Sequence, residues 1–256
     1  MRLVTLEARD NFAWIRIERD AKRNALNTQA RDELREILEQ TANEFSVLAI
    51  TGQGKSFCAG VDLKEITEHA ARGSSAPLED WRALNLSIRK HPAIFIAAVN
   101  GLALGGGATL IGLCDLAIAA SDVEIGLPEI GFGMYANPAG PAVQLNLSRK
   151  RAAWLLLTAN RISGTTAAEW GLVNEAVDAE ALEARVSALA KQISRFDKTA
   201  LAETKQALDK IPLDIASWES AFEFGVGVNQ RISQLSDVTA TGLENFSAGG
   251  RNPGQG

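Results

Sequence analysis

Three consecutive glycines, Gly105-Gly106-Gly107, stand between an apolar run, Ala93 to Val99, and a second apolar segment, Ala108 to Leu113. The first run is short enough for a buried strand, and Asn100-Gly101 breaks it. The second run reads as the start of a helix, where unpaired N–H groups and a partial positive charge collect. Glycine lets a ligand reach that backbone with no Cβ in the way. Strand, glycine turn and helix start together make a place to hold an oxygen that becomes negative. Ala59-Gly60-Val61-Asp62-Leu63-Lys64-Glu65 reads as a second backbone turn of the same kind opening a helix. A glutamate, Glu129, follows Pro128 within a Gly- and Pro-rich stretch from Gly126 to Pro141, and a carboxylate there can move a proton. Each feature also has a plainer reading. Glycine clusters serve tight turns, and a glutamate after proline can be a loop or surface carboxylate.

Other chemistries fit poorly. Gly52-Gln53-Gly54-Lys55-Ser56 has the flavour of a phosphate loop, but Ala49 stands where that pattern needs a glycine. The three-glycine turn does not match G-x-G-x-x-G, and no G-x-S-x-G elbow occurs. His69 and His91 have no metal-ligand spacing, and His91 reads as a solvated helix end, so no metal is expected. The chain has 256 residues with a formal net charge of −5, and Arg149-Lys150-Arg151 is its longest basic run. Nucleic acid is therefore not an expected partner. Two cysteines, Cys58 and Cys114, in apolar or glycine-rich settings point to a reducing, cytoplasmic setting. No signal-peptide core and no long apolar span is visible, so no membrane association is expected.

The elements that must position these residues alternate. Phe12–Ile17 and Val47–Thr51 read as strands, and Leu116–Ala120 and Val123–Ile125 as short ones. Asn27-Thr28 caps a helix whose apolar face is Ala30, Leu34, Ile37, Leu38 and Thr41. Residues 70–80, with Gly73-Ser74-Ser75 and Pro77, read as a mobile loop before a helix from Trp81 to Lys90. Helices are expected over Arg149–Ala159, after a Ser163 cap with Gly171 as stop, and along Leu182, Val186, Leu189 and Ile193. From Asp197 onward the chain reads as helical, with Ser247 to Gly256 disordered. Strand–helix alternation followed by helices implies an α/β core and a helical C-terminal part. Late helices without a core of their own favour an oligomer.

Taken in order, Arg23-Asn24-Ala25-Leu26-Asn27, Ser56-Phe57-Cys58-Ala59-Gly60-Val61-Asp62-Leu63-Lys64-Glu65, Val99 to Gly107, Cys114 to Ala119, Leu127-Pro128-Glu129-Ile130-Gly131 and Ala167 to Glu175 resemble the crotonase, or enoyl-CoA hydratase/isomerase, superfamily. The resemblance covers nearly the whole chain. It implies a crotonase-like core of repeated ββα units over residues 1–195. It further implies trimerising helices over 196–256, and a homotrimer or a dimer of trimers. The implied substrate is an acyl-CoA thioester, with no cofactor beyond the coenzyme A the substrate carries. By position, the backbone N–H groups of Val61 and Gly106 would hold the thioester oxygen. Ala59, Asp62, Leu63 and Lys64 would line the coenzyme A channel, with Lys22, Arg23 and Ala25 beside it and the two basic side chains near its phosphates.

The family's hydratases use two glutamates. Glu129 matches the second, whereas Thr109 occupies the position of the first. A neutral hydroxyl can hydrogen-bond but cannot serve as a carboxylate base. The resemblance therefore leaves three chemistries open. A single glutamate can shuttle a proton, as in the enoyl-CoA isomerases. A hydroxyl paired with a glutamate resembles the hydroxycinnamoyl-CoA hydratase-lyases, although Ala221-Phe222-Glu223-Phe224 stands where a tyrosine is expected. A hydratase could instead draw on a further donor, for which Tyr135, the sole tyrosine, is the candidate. Outside catalysis, the loss of one carboxylate fits a non-catalytic acyl-CoA-binding subunit. A fold that has dropped coenzyme A and acts on a cyclic diketone is a further alternative.

Overall fold

The computed structural model describes residues 1–237. Its strands are β1 (Val4–Arg9), β2 (Phe12–Ile17), β3 (Val47–Gly52), β4 (Ser56–Cys58), β5 (Ile94–Val99), β6 (Leu102–Leu104), β7 (Leu116–Ala120), β8 (Glu124–Gly126), β9 (Ile162–Ser163) and β10 (Glu175–Val177). Its helices are α1 (Thr28–Thr41), α2 (Leu63–Ala70), α3 (Ala76–Lys90), α4 (Gly106–Leu113), α5 (Ala139–Asn146), α6 (Arg149–Thr158), α7 (Gly164–Trp170), α8 (Leu182–Ile193), α9 (Lys198–Asp214) and α10 (Trp218–Leu235).

The strands form two sheets, one of six in the order β1-β2-β3-β5-β7-β10 and one of four in the order β4-β6-β8-β9. The pairs β3–β4, β5–β6 and β7–β8 each give one strand to each sheet, which is the repeated ββα plan. The larger sheet is parallel from β2 to β10 and buried on both faces. Successive side chains alternate sides. Ile15, Ile17, Leu48, Ile50, Phe95 and Val99 face the main core, which α1, α3 and α4 complete. Trp14, Val47, Ala49, Ile96 and Ile118 face a second core closed by Leu182, Val186 and Ala190 of α8. Strands covered on both sides read as continuous apolar runs, and these do.

The Asn27 side chain accepts from Ala30 N–H, and the predicted α1 stripe is buried at every position. Ser163 accepts from Thr166 N–H, and Gly171 ends α7 at φ 85°. Two expectations fail. The loop foreseen over residues 70–80 is helical from Ala76, with Pro77 in the first turn, where a missing N–H costs nothing. His91 is not a solvated helix end. It is buried, stacks edge-on against Phe95 and accepts from Ala93 N–H at Nδ1, while Nε2 lies 3.0 Å from Leu38 O. Burial pushes its pKa down to about 4, so it stands neutral.

The 195/196 boundary falls between α8 and α9. α9 is bolted to the core through Lys205, whose Nζ is 2.9 Å from Asp115 and 2.8 Å from Ala93 O. The segment Ser247 to Gly256 lies outside the described residues. Among those described, no helix is long and apolar enough to cross a membrane.

Candidate active site

The site is assembled from the three turns that follow β4, β6 and β8. After β4, the segment Ala59–Asp62 runs beside Arg23–Leu26. Ala59 N–H donates to Arg23 O at 2.9 Å, Leu26 N–H to Gly60 O at 2.7 Å, and Asp62 N–H to Leu26 O at 3.2 Å. This parallel bridge uses both polar groups of Leu26 and turns those of Val61 to the opposite side. Val61 N–H consequently has no acceptor among the described residues.

After β6, Gly105 N–H donates to Gly126 O at 3.0 Å, tying this turn to β8, and Gly106 opens α4. The Gly106 N–H thus precedes any intrahelical acceptor. The two turns touch. A Cβ on Gly60, which sits at φ +90°, would lie 2.7 Å from Gly106 N, and one on Gly106 would lie 2.7 Å from Gly60 Cα. Only two glycines allow this approach, and it sets the Val61 and Gly106 turns side by side.

Glu129 begins a short 3-10 turn, Glu129–Phe132, after β8. Its carboxylate lies against the Gly105 backbone, where a Cβ on Gly105 would be 2.5 Å from Oε1. Oε2 is shielded from solvent and has no hydrogen-bond partner. Burial raises the Glu129 pKa above the ordinary carboxylate value. The carboxylate is part-buried and receives its own backbone N–H, but it has no cationic partner, and with one oxygen shielded and unsatisfied beside the Gly106 turn it has the attributes of a general base.

Thr109, one helical turn past Gly106, is 1% exposed and donates from Oγ1 to Gly105 O at 3.3 Å. At that distance the bond is weak, and the hydroxyl can turn to another partner as donor or acceptor. Tyr135 is not brought to the carboxylate. It is exposed, packs across Gly140 and accepts from Gln144 Nε2 at 2.7 Å, because the chain turns away from Glu129 into α5.

The residues expected along the coenzyme A channel gather on one side of the Val61 turn. Lys22 and Arg23 are exposed on the loop paired with Ala59, and Ala25 precedes Leu26. Leu63 and Lys64 are exposed at the start of α2. The Asp62 carboxylate is already engaged, capping α2 through Lys64 N–H and pairing with Arg19 at 2.7 Å. Burial opposes its ionisation, but Arg19 together with the Lys64 and Glu65 backbone N–H groups outweighs that and holds its pKa low. Among the described residues no cluster of three or more His, Cys, Asp or Glu could hold a metal.

Sequence reasoning missed the residues that brace these turns. Asn24, buried at φ 56°, accepts from Arg19 N–H and donates to Gln53 O and Ser56 O. Arg31, 1% exposed, donates to Leu26 O at 3.0 Å, to Glu65 of α2 at 2.9 Å and to Asp80 of α3 at 2.5 Å. Asp80 precedes Trp81, whose ring lies 3.1 Å from the Cβ position of Gly106. One guanidinium thus braces both turns. The signal was present: Arg31 sits three and seven residues before Leu34 and Leu38, on the apolar stripe of α1.

Comparison with known proteins agrees with this geometry. The family model for enoyl-CoA hydratase/isomerase matches residues 7–247. Mevalonyl-coenzyme A hydratase of Aspergillus fumigatus is 32% identical over 241 residues, covering 92% of this chain and 85% of that protein. The 2,3-dehydroadipyl-CoA hydratase of Escherichia coli is 32% identical over 236 residues, covering 91% and 89%. Hydroxycinnamoyl-CoA hydratase-lyase of Pseudomonas fluorescens is 30% identical over 217 residues, covering 81% and 78%. Among solved structures, an enoyl-CoA hydratase from Bacillus anthracis superposes with a TM-score of 0.89 at 27% identity, covering 96% of each chain. Motifs in order, turns in contact and a match along nearly the full length lead to one conclusion: the chain belongs to the enoyl-CoA hydratase/isomerase family.

Proposed function

We propose that the protein transforms an acyl-CoA thioester through an enolate, with Glu129 as the single proton carrier and no cofactor beyond the substrate's own coenzyme A. The observation that carries this reading is the placement of the Glu129 carboxylate, its Oε2 buried and without a partner, on the Gly105 backbone beside the touching Gly60 and Gly106 turns. Glu129 takes a proton from a carbon next to the thioester or conjugated with it. The electron pair moves onto the thioester oxygen, which accepts from Val61 N–H and Gly106 N–H. Returning the proton to the other end of the conjugated system shifts the double bond. Thr109 lacks the acidity and charge of a second carboxylate, so water addition of the two-glutamate kind is the less favoured outcome. The second reading, a hydratase-lyase that adds water and then breaks a carbon–carbon bond, draws on the Thr109 hydroxyl and on the 30% identity to the Pseudomonas fluorescens enzyme.

The test is product analysis after incubation with crotonyl-, 3-hexenoyl- and feruloyl-CoA. Migration of the double bond in the 3-enoyl ester supports the first reading. Release of an aldehyde from the feruloyl ester supports the second, and no turnover of any ester rejects both. Because burial raises the Glu129 pKa, kcat/KM should fall on the acid side with a midpoint above the ordinary glutamate value of 4.5. A profile flat down to pH 4.5 would remove Glu129 from the base role.

Exposed apolar side chains on α6 and α10 support an assembly of several copies. Trp218, Phe222 and Val226 of α10 and Trp154 and Leu157 of α6 are exposed apolar side chains. We propose that copies of this chain cover them, in a homotrimer or a dimer of trimers. Sedimentation should give three or six protomer masses, and a monomer at micromolar concentration contradicts the proposal.

A further inference from the structure

A cleft of about 520 Å³ lies between α3, α4, α5 and α9. Its wall is mainly apolar, with Ala142, Leu145, Leu208 and Leu213 among the contributors, and Thr109 and Asn85 also line it. Thr109 belongs to both the cleft and the active-site helix. α3 and α4 run side by side in the same direction, since Trp81 packs at Gly106 and Arg89 donates to Leu113 O at 3.1 Å. Asn85, four residues past Trp81, and Thr109, three past Gly106, therefore stand at a similar level, about 4.5–6 Å along the helices from the Gly106 turn. Thr109 is the residue that links the cleft to the active-site helix, so a chain held by its carbonyl at Gly106 and extended along α4 would run toward it.

Asn85 is 3% exposed, and its Oδ1 has no hydrogen-bond partner. The orientation of the amide is fixed chemically. Nδ2 lies 2.8 Å from Trp81 O, a carbonyl that can only accept, so the atom left over must be the acceptor Oδ1. The Thr109 hydroxyl has Gly105 O as a partner at 3.3 Å. The cleft is thus lined by one wholly unsatisfied acceptor, Asn85 Oδ1, with Thr109 also in its wall. A buried acceptor without a partner is costly, and a ligand donor offsets that cost.

We infer that this cleft takes the acyl chain and that Asn85 is a specificity residue selecting a chain that carries a hydroxyl group about 6 Å from its thioester carbonyl. A plain alkyl chain leaves Oδ1 unpaired. A carboxylate brings acceptors to an unsatisfied acceptor. Of the two arginines that line the cleft, Arg89 is already engaged by Asp115 at 2.9 Å and by Asp209, and Arg82 is exposed to solvent, where its attraction for a carboxylate is screened. The inference rests on the acyl-CoA reading above.

The test is calorimetric binding of saturated esters, which cannot turn over by double-bond chemistry: hexanoyl-CoA, its 5- and 6-hydroxy derivatives, and carboxylate-ended hexanedioyl-CoA. One hydroxy ester should bind roughly tenfold or more tighter than hexanoyl-CoA. In Asn85→Leu that preference should disappear, with hexanoyl-CoA bound at least as well as before. The ratio of two affinities is read, so partial loss of folded protein does not imitate the effect, and the comparison on the unaltered protein stands without the variant. Equal binding of hydroxy and plain esters overturns the inference while leaving the acyl-CoA reading intact. So does a preference that survives Asn85→Leu, or tightest binding of the carboxylate-ended ester. Failure of every ester to bind overturns the acyl-CoA reading itself.

Discussion

Glu129→Gln should lower turnover of every acyl-CoA substrate by roughly 10³- to 10⁴-fold while leaving ester binding within a few-fold. The amide keeps the size of the carboxyl group and its place on the Gly105 backbone, but it cannot accept and return a proton. The same change should make the folded protein more stable at neutral pH. Burial raises the folded-state pKa of Glu129, so between the unfolded value near 4.5 and the higher folded value the native state binds more protons than the unfolded state. Stability contributed by this group is complete below that window and lost as pH rises through it. At pH 7 the buried charge is therefore a burden on the fold, which glutamine removes. Steady-state kinetics and thermal melting of the pair at pH 5 and pH 7.5 check both halves. Unchanged turnover would remove Glu129 from the chemistry. A variant that melts lower at pH 7.5 would show the carboxylate to be stabilising, contrary to the burial that raises its pKa.

Those two halves have one cause. The Glu129 carboxylate has no cation beside it and no donor on Oε2, so burial outweighs the single backbone N–H it receives, and a group left that way costs stability in exchange for reactivity. Asp62 shows the reverse case. It is also partly buried, but it is paired with Arg19 and receives Lys64 N–H, so its pKa is held down and its proton chemistry is spent on structure. Two carboxylates close to the same pair of turns are thus separated in role by their donors.

The sequence made the turns legible because glycine type and position carry the information. Gly60 and Gly105 are needed at positive φ and at close approach, and no other residue type substitutes cheaply. The α1 face and the Asn27 cap were legible for similar reasons, since period and cap chemistry are local. What stayed hidden was decided by long-range contact. Gly73-Ser74-Ser75 with Pro77 reads as loop throughout, yet Pro77 is an ordinary first-turn residue once Trp81, Leu84 and Ile88 are buried. His91 looks like a polar helix end until Leu38 and Phe95 enclose it. Tyr135 stands six residues from Glu129 in sequence, but the turn between them sends its hydroxyl to Gln144. Asn85 gave no local signal, because an unsatisfied amide is visible only when its neighbours are placed.

Gly60→Ala should lower kcat by roughly 10²- to 10³-fold with Glu129 untouched. The added methyl would lie 2.7 Å from Gly106 N and 3.2 Å from Leu104 O, between the very turns that must stay in contact. Gly106 is the first residue of α4, with Trp81 close on its other side, so it has little room to retreat. The turns must part, and the Val61 and Gly106 amides, which the proposed function sets on one oxygen, are then drawn apart. A hydrogen bond aimed 1 Å away from a developing charge loses most of its advantage over water. Gly73→Ala supplies the control. Gly73 also holds positive φ, at +69°, but a Cβ there meets nothing within 4 Å, so that variant carries backbone strain without the wedge. Kinetics should therefore separate the two: near-normal kcat for Gly73→Ala, and a deep loss of kcat with little change in ester affinity for Gly60→Ala. Proton–deuterium exchange next to the thioester of a saturated acyl-CoA gives the sharper readout, since it needs only enolate formation and the Glu129 base. If exchange in Gly60→Ala ran at the rate of the unaltered protein, the paired amides would not be what stabilises the enolate, and the electrostatic account of this site would have to rest on some other donor.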